Sequence, residues 1–191
     1  MKSARLWRFV VVIAGAIALG AFYSILRGNS SGARDLLSNV SAPWLILPLL
    51  GGWFACGERP LLGALVGVLV TFGALVAFNL TGSFVYSLGP DRTIEETLRT
   101  LVENGMLFRV GIASGVAFGA LGSGLASQRS TLLIAVCAGL FMLEPLAWAA
   151  AAIWRGVPMA TNSSYFPIWG IEAAVGFALA ALFWRRRRPT D

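Results

Sequence analysis

Six apolar runs occupy most of this 191-residue chain. They are residues 7–26, 40–56, 61–80, 107–126, 131–154 and 165–184. A helix that crosses a lipid bilayer needs about 20 apolar residues, and it satisfies its own backbone polar groups where no water is available. The sequence therefore predicts an all-α, polytopic membrane protein, with six transmembrane helices in a single domain over residues 1–191.

The charged residues predict how these helices are oriented. They make up 13% of the chain, about half the share usual in soluble proteins, and they bracket the apolar runs. With a cytoplasmic N-terminus, five arginines lie outside, and the inner side carries Lys2, Arg5, Arg8, Arg59, Arg129 and the four arginines at 185–188. The positive-inside rule therefore predicts that both termini are cytoplasmic.

The same distribution bears on location and partners. The preference for Arg over Lys favours a multi-pass protein of the bacterial cytoplasmic membrane. Basic residues that flank membrane spans do not form the stripe typical of nucleic-acid binding. We therefore expect the lipid bilayer as a partner and no nucleic acid.

The loop before the fourth run carries a helical pattern of its own. Thr93 and Glu96 have the spacing of a capping box, and Arg99 and Glu103 have the i,i+4 spacing of a helical ion pair. The pattern predicts a short amphipathic helix at about 93–103 on the outer, non-cytoplasmic face. It would serve either as a packing element at the membrane surface or as a lid over an outward-facing cavity.

Two glutamates, Glu144 and Glu172, stand inside the fifth and sixth apolar runs. A carboxylate in hydrocarbon costs several kcal/mol unless it is protonated, paired or hydrated. Adjacent antiparallel helices would bring the two to within roughly 5 Å in depth. Arg109 and Trp148 lie near enough to join them, so the sequence predicts a solute-binding cavity with these four residues. Alternatively, the acids only hold helices together.

Small residues recur every fourth position in several runs. Ala14 and Ala18 form such a stripe in the first run, and Gly111, Gly115 and Gly119 form one in the fourth. This spacing places small residues on one helix face, where backbones approach closely. The stripes predict helix packing within the chain, or docking of a partner membrane protein or a second copy.

Signatures of catalysis are sparse. The chain has no His, which removes the commonest metal ligand and proton carrier, and it has no nucleophile elbow, phosphate-binding loop or metal-ligand spacing. We therefore expect no metal, no cofactor and no enzymatic activity. The leading hypothesis is binding or translocation of a small solute. The alternatives are an accessory protein that docks a partner and, third, an intramembrane enzyme.

Two resemblances to known families accompany these patterns. The six-helix layout, the length, the cytoplasmic termini and the Ala14/Ala18 stripe resemble the substrate-binding subunits of energy-coupling-factor vitamin transporters, in which a first-helix A-x-x-x-A stripe docks a scaffold subunit. That resemblance implies a solute-binding subunit with a membrane partner. The stretch S-N-V-S-A-P-W-L at residues 38–45 resembles bacterial membrane proteins known only as a domain of unknown function, which implies no activity.

Overall fold

The protein folds into α-helices. The computed structural model describes residues 2–27, 42–86, 95, 99, 102–103, 105–126, 130–155 and 166–187. Its helices are α1 Lys2–Arg27, α2 Ala42–Cys56, α3 Pro60–Tyr86, α4 Gly105–Leu125, α5 Ser130–Arg155 and α6 Phe166–Arg187. Strands are absent from the residues described. The predicted all-α class is confirmed, and each helix coincides with one of the predicted apolar runs.

Three of the helices are long and apolar enough to cross a membrane: Leu6–Arg27, Pro60–Val85 and Gly105–Leu125. Shorter apolar stretches lie in the other three, at Ala42–Cys56, Leu132–Leu143 and Trp169–Leu182. Many large apolar side chains point outward, including Leu61, Met106 and Trp154. Water-soluble monomers rarely expose apolar surface over such wide patches, so the structure supports a membrane protein.

Helix α3 extends beyond the apolar run at 61–80, to Tyr86. Just before this extension the Asn79 side-chain amide donates to the Leu75 carbonyl at 2.8 Å. A polar side chain that is satisfied within its own helix does not terminate it.

The predicted surface helix at 93–103 falls mostly outside the described residues. Of that segment, Arg99 and Glu103 form the expected i,i+4 ion pair, with 2.9 Å between Nε and Oε1. Both side chains are exposed.

A tight turn joins α2 to α3 at the predicted inner end. Gly57 has a φ of 57°, a left-handed conformation that ends helices and suits glycine, and Pro60 opens α3, where a missing N–H is harmless. The Arg59 amide donates to the Gly57 carbonyl at 2.9 Å. The hydroxyl of Ser123, which is fully buried in α4, donates to the same carbonyl and so joins the turn to α4.

Replacing Ser123 with alanine is expected to lower the free energy of unfolding by about 1 kcal/mol. The Gly57 carbonyl would lose one donor but keep the Arg59 amide. Unfolding in mixed detergent micelles measures the change. Ser114→Ala is the matched control, since the Ser114 hydroxyl donates only to Gly111 in its own helix. An equal loss in both variants would contradict a special role for the Ser123 bond.

Helices α1 to α4 form a closely packed group. α3 packs against both α1 and α4, and α2 packs against α4, α3 and α1. Arg8 lies 5.4 Å from the Phe54 ring at one end, and Arg27 lies 5.9 Å from the Phe78 ring at the other. α1 and α3 therefore run in one direction and α2 in the other, as alternating spans require. α5 and α6 pack mainly against each other.

Glycines bring α2, α3 and α4 into backbone contact. A Cβ added at Gly67 would meet the Gly115 carbonyl and would lie 2.8 Å from the Cα of Gly119. A Cβ at Gly52 would meet the Gly119 carbonyl, and one at Gly122 would meet the Leu49 carbonyl. Close approach of this kind gains dispersion contact where the hydrophobic effect gives little drive between helices in lipid. The three helices are therefore held together most tightly toward their predicted inner ends.

Candidate functional site

A cavity of about 320 Å³ opens between α1, α2, α3 and α4 in their predicted outer halves. Its volume is near the lower limit of small-molecule pockets, about 300 Å³. The lining residues come from all four helices: Arg27, Trp44, Leu45, Thr71, Leu75, Phe78, Leu107, Val110, Gly111 and Ser114. The lining is mostly apolar with a few polar groups, a composition typical of ligand sites.

The cavity exists because the helices separate toward the outer end. At Gly115 and Gly119 the backbones of α3 and α4 touch. One turn outward, at Gly111, a Cβ would instead meet the Cδ1 atom of Leu75, at 2.5 Å. At this level the Leu75 side chain therefore separates the backbones of α3 and α4, which touch each other one turn deeper. From this level outward the spacing leaves room for a small molecule.

Three polar residues line this space. Thr71 is only 3% exposed, and its hydroxyl has no hydrogen-bond partner among the described residues. The Ser114 hydroxyl donates to the Gly111 carbonyl at 2.9 Å, which leaves its oxygen able to accept. Arg27 is the last residue of α1, and its guanidinium supplies several donors.

Aromatic rings form one side of the site. The Tyr23 and Trp44 rings are 5.8 Å apart between centroids, and the Trp44 and Phe78 rings are 5.7 Å apart. Both pairs meet edge to face, the arrangement favoured by the quadrupoles of aromatic rings. The Arg27 guanidinium lies over the outer ring, Phe78. These contacts connect α1, α2 and α3 and give the cavity a stiff wall beside its cation.

Of the four residues predicted to form a solute site, the structure describes the side chains of Glu172 and Arg109. Glu172 of α6 is 3% exposed, as expected of an intramembrane acid, but it does not line the cavity. Arg109 is exposed on α4 and does not line it either. Glu144 and Trp148 belong to α5, and their side chains are outside the described part of the structure. Among the residues described, the cavity lining comes from α1 to α4, and neither Glu172 nor Arg109 belongs to it.

The position of Glu172 can be given relative to α5 and to Tyr23 of α1. A Cβ at Gly176, one turn along α6, would lie 2.5 Å from the Met142 Cγ atom. Residue 172 is therefore level with about residues 145–146 of α5, close to the backbone of Glu144. Glu172 is also within electrostatic range of Tyr23.

The predicted small-residue stripes separate into two groups. Gly111, Gly115 and Gly119 are buried against α3. Ala14 and Ala18 are exposed on α1, and α1 packs instead through Ala16 and Gly20. The α4 face is therefore occupied within the chain, whereas the α1 stripe is open.

Sequence reasoning missed most of the cavity residues. In the sequence, Trp44 near the start of an apolar run is typical of an interfacial aromatic belt, and Arg27 is one of the five arginines on the predicted outer side. Thr71 offers a usable signal, because a hydroxyl in the middle of an apolar run requires a partner. Its position four residues after Gly67 also fits a small packing residue.

The described residues contain no cluster of three His, Cys, Asp or Glu side chains that would hold a metal ion. The cavity lining has no acid–base pair among the residues described. A mostly apolar lining with a few polar residues is suited to binding a small molecule. No family model, curated protein or solved structure matches this chain.

Proposed function

We propose that this protein crosses a bacterial cytoplasmic membrane six times, with both termini in the cytoplasm. We further propose that it binds a small solute in the cavity that helices α1, α2, α3 and α4 enclose. Translocation of that solute would follow from binding if the outer opening alternates with an inner one. The alternating direction of α1 to α3 and the apolar exposed surface support the topology.

The observation that carries the binding proposal is the mostly apolar cavity of about 320 Å³ between four helices, with Arg27 and Ser114 among its lining residues. The Ser114 hydroxyl donates to the Gly111 carbonyl, so its oxygen can accept a hydrogen bond from a ligand. The Arg27 guanidinium can donate hydrogen bonds to one. The mostly apolar lining would bind the rest of the molecule.

Filling the cavity is expected to abolish binding. Leucine at position 114 would project into the cavity, whereas leucine at position 113 would face outward, because Ala113 is exposed. Native mass spectrometry of protein released from gentle detergent measures retained small molecules. We expect Ser114→Leu to lose at least about tenfold of the ligand that the wild type and Ala113→Leu retain, equivalent to about 1.4 kcal/mol. Equal retention by the two variants would contradict the proposal.

A docking role is the second candidate, and the exposed stripe on α1 favours it. Ala14 and Ala18 are exposed, and a Cβ at Gly15 between them would meet nothing within 4 Å. A partner helix could approach this surface closely. Gly111, Gly115 and Gly119 of α4 cannot serve in the same way, because α3 already covers them. This role would agree with the scaffold docking that the resemblance to vitamin-transporter subunits implies.

A further inference from the structure

One wall of the cavity is also part of the outer surface of the helix group. Leu107 and Val110 line the cavity from α4, yet 46% and 57% of their surfaces are exposed. The neighbouring Met106 is 79% exposed. In a membrane, exposed apolar side chains at this level contact lipid. The cavity is therefore bordered by hydrocarbon on its α4 side.

Polar groups stand at the two ends of the cavity. Arg27 lies over the Phe78 ring, and Thr71 is seven residues deeper along α3, which corresponds to about 10 Å. Ser114 faces the same deeper region. Between these levels the wall is Trp44, Leu75 and Phe78. Arg27 is the one charged side chain among the lining residues that the structure describes.

This arrangement fits a particular ligand chemistry. A cation at the outer end of an apolar cavity complements an anionic head group, and a guanidinium binds phosphate or carboxylate through paired hydrogen bonds. The apolar wall and the lipid-facing border complement a hydrocarbon body. The volume of 320 Å³ holds a small body, and any longer tail would extend past Leu107 and Val110 into the bilayer.

We infer that the ligand is an anionic amphiphile that reaches the cavity from the surrounding bilayer, with its head group on Arg27 and its apolar body against Trp44 and Phe78. The inference rests on the proposed solute binding and adds the chemical class of the ligand and its route of entry. Ser114 selects for a hydrogen-bonding group within the body, about 10 Å from the head.

Quenching of Trp44 fluorescence by a brominated amphiphile tests this inference. The full-length protein is placed in nanodiscs of zwitterionic phosphatidylcholine, and ω-bromododecyl phosphate is compared with the uncharged ω-bromododecanol. The chain has seven tryptophans, so the Trp44 contribution is taken as the difference between the wild type and Trp44→Phe. We expect half-maximal quenching at an about tenfold lower concentration of the phosphate, since a hydrogen bond to a charged group contributes at least that factor.

Variants distinguish the contribution of the Arg27 charge from that of the space in the cavity. Arg27→Gln is expected to remove the preference for the phosphate, and Arg27→Lys, which keeps the charge, to retain most of it. Ser114→Leu is expected to prevent quenching by both probes, and Ala113→Leu to leave it unchanged. Excess inorganic phosphate should not displace the amphiphile, because a free anion gains nothing from the apolar wall.

Three other outcomes would contradict the inference in whole or in part. Equal quenching by both probes that Ser114→Leu abolishes would leave the binding cavity standing and overturn the anionic class. Displacement by inorganic phosphate would overturn entry from the bilayer in favour of a water-soluble anion. Absence of any quenching at Trp44 would overturn the inference. The proposed function would then still be decided separately by native mass spectrometry, through ligand retention by the wild type and not by Ser114→Leu.

Discussion

Replacing Gly119 with leucine is expected to prevent α2, α3 and α4 from packing together. A Cβ at this position would meet the Gly63 carbonyl and would lie 2.8 Å from the Cα of Gly67. These neighbours are backbone atoms, which cannot move aside as a flexible side chain does. Gly52 of α2 also packs against the Gly119 carbonyl, so separation of α3 from α4 disturbs α2 as well.

The expected loss is more than about 4 kcal/mol, above the usual 1–3 kcal/mol of overpacking. Unfolding in detergent and the yield of monodisperse protein measure it. Gly124→Leu is the matched control on the same helix, because a Cβ at Gly124 meets nothing within 4 Å. Leucine favours the helix by roughly 1 kcal/mol over glycine, so the control should be as stable as the wild type. Equal stability of the two variants would show that the α3–α4 contact is looser than described.

Replacing Gly20 with leucine is expected to detach α1 from the rest of the helices. A Cβ at Gly20 would meet the Ala74 carbonyl and would lie 2.9 Å from the Cα of Ala74. Ala16, one turn earlier, is fully buried with Val66 and Val70 of α3. Substitution at Gly20 therefore breaks the contact on which the burial of α1 depends. The expected loss is again more than about 4 kcal/mol if α1 stays in place, so α1 separates instead.

Detachment of α1 has a second expected effect, on the cavity. Arg27 and Tyr23 belong to α1 and would leave the site with it, so retained ligand should fall together with stability. Cysteine cross-linking between α1 and α3 and native mass spectrometry measure the two effects. Gly15→Leu is the control, since a Cβ there meets nothing within 4 Å. Normal cross-linking in Gly20→Leu would contradict the packing of α1 described here.

The cavity illustrates why the site could not be derived from the sequence. The sequence places the predicted site at Glu144 and Glu172, because burial of a carboxylate in a membrane is costly wherever it occurs. Glu172 is indeed buried. Burial cost alone does not show which helices enclose a cavity, since that depends on where backbones touch and where they separate. The enclosing residues Arg27, Trp44 and Thr71 come from three different helices.

The helical class, the position of each helix and the close-packing stripe of α4 followed from local chemistry. Each of these features depends on a single segment of the chain and can therefore be recognised in the sequence. They are the length of each apolar run, the turn residues Gly57 and Pro60, and the four-residue spacing of glycines. The partner of each stripe was decided by tertiary structure alone. Gly115 and Gly119 meet α3, whereas Ala14 and Ala18 remain open because α1 packs through Ala16 and Gly20. Neighbouring helix faces differ by only one or two residues in register, and the sequence of one helix does not specify which face another will cover.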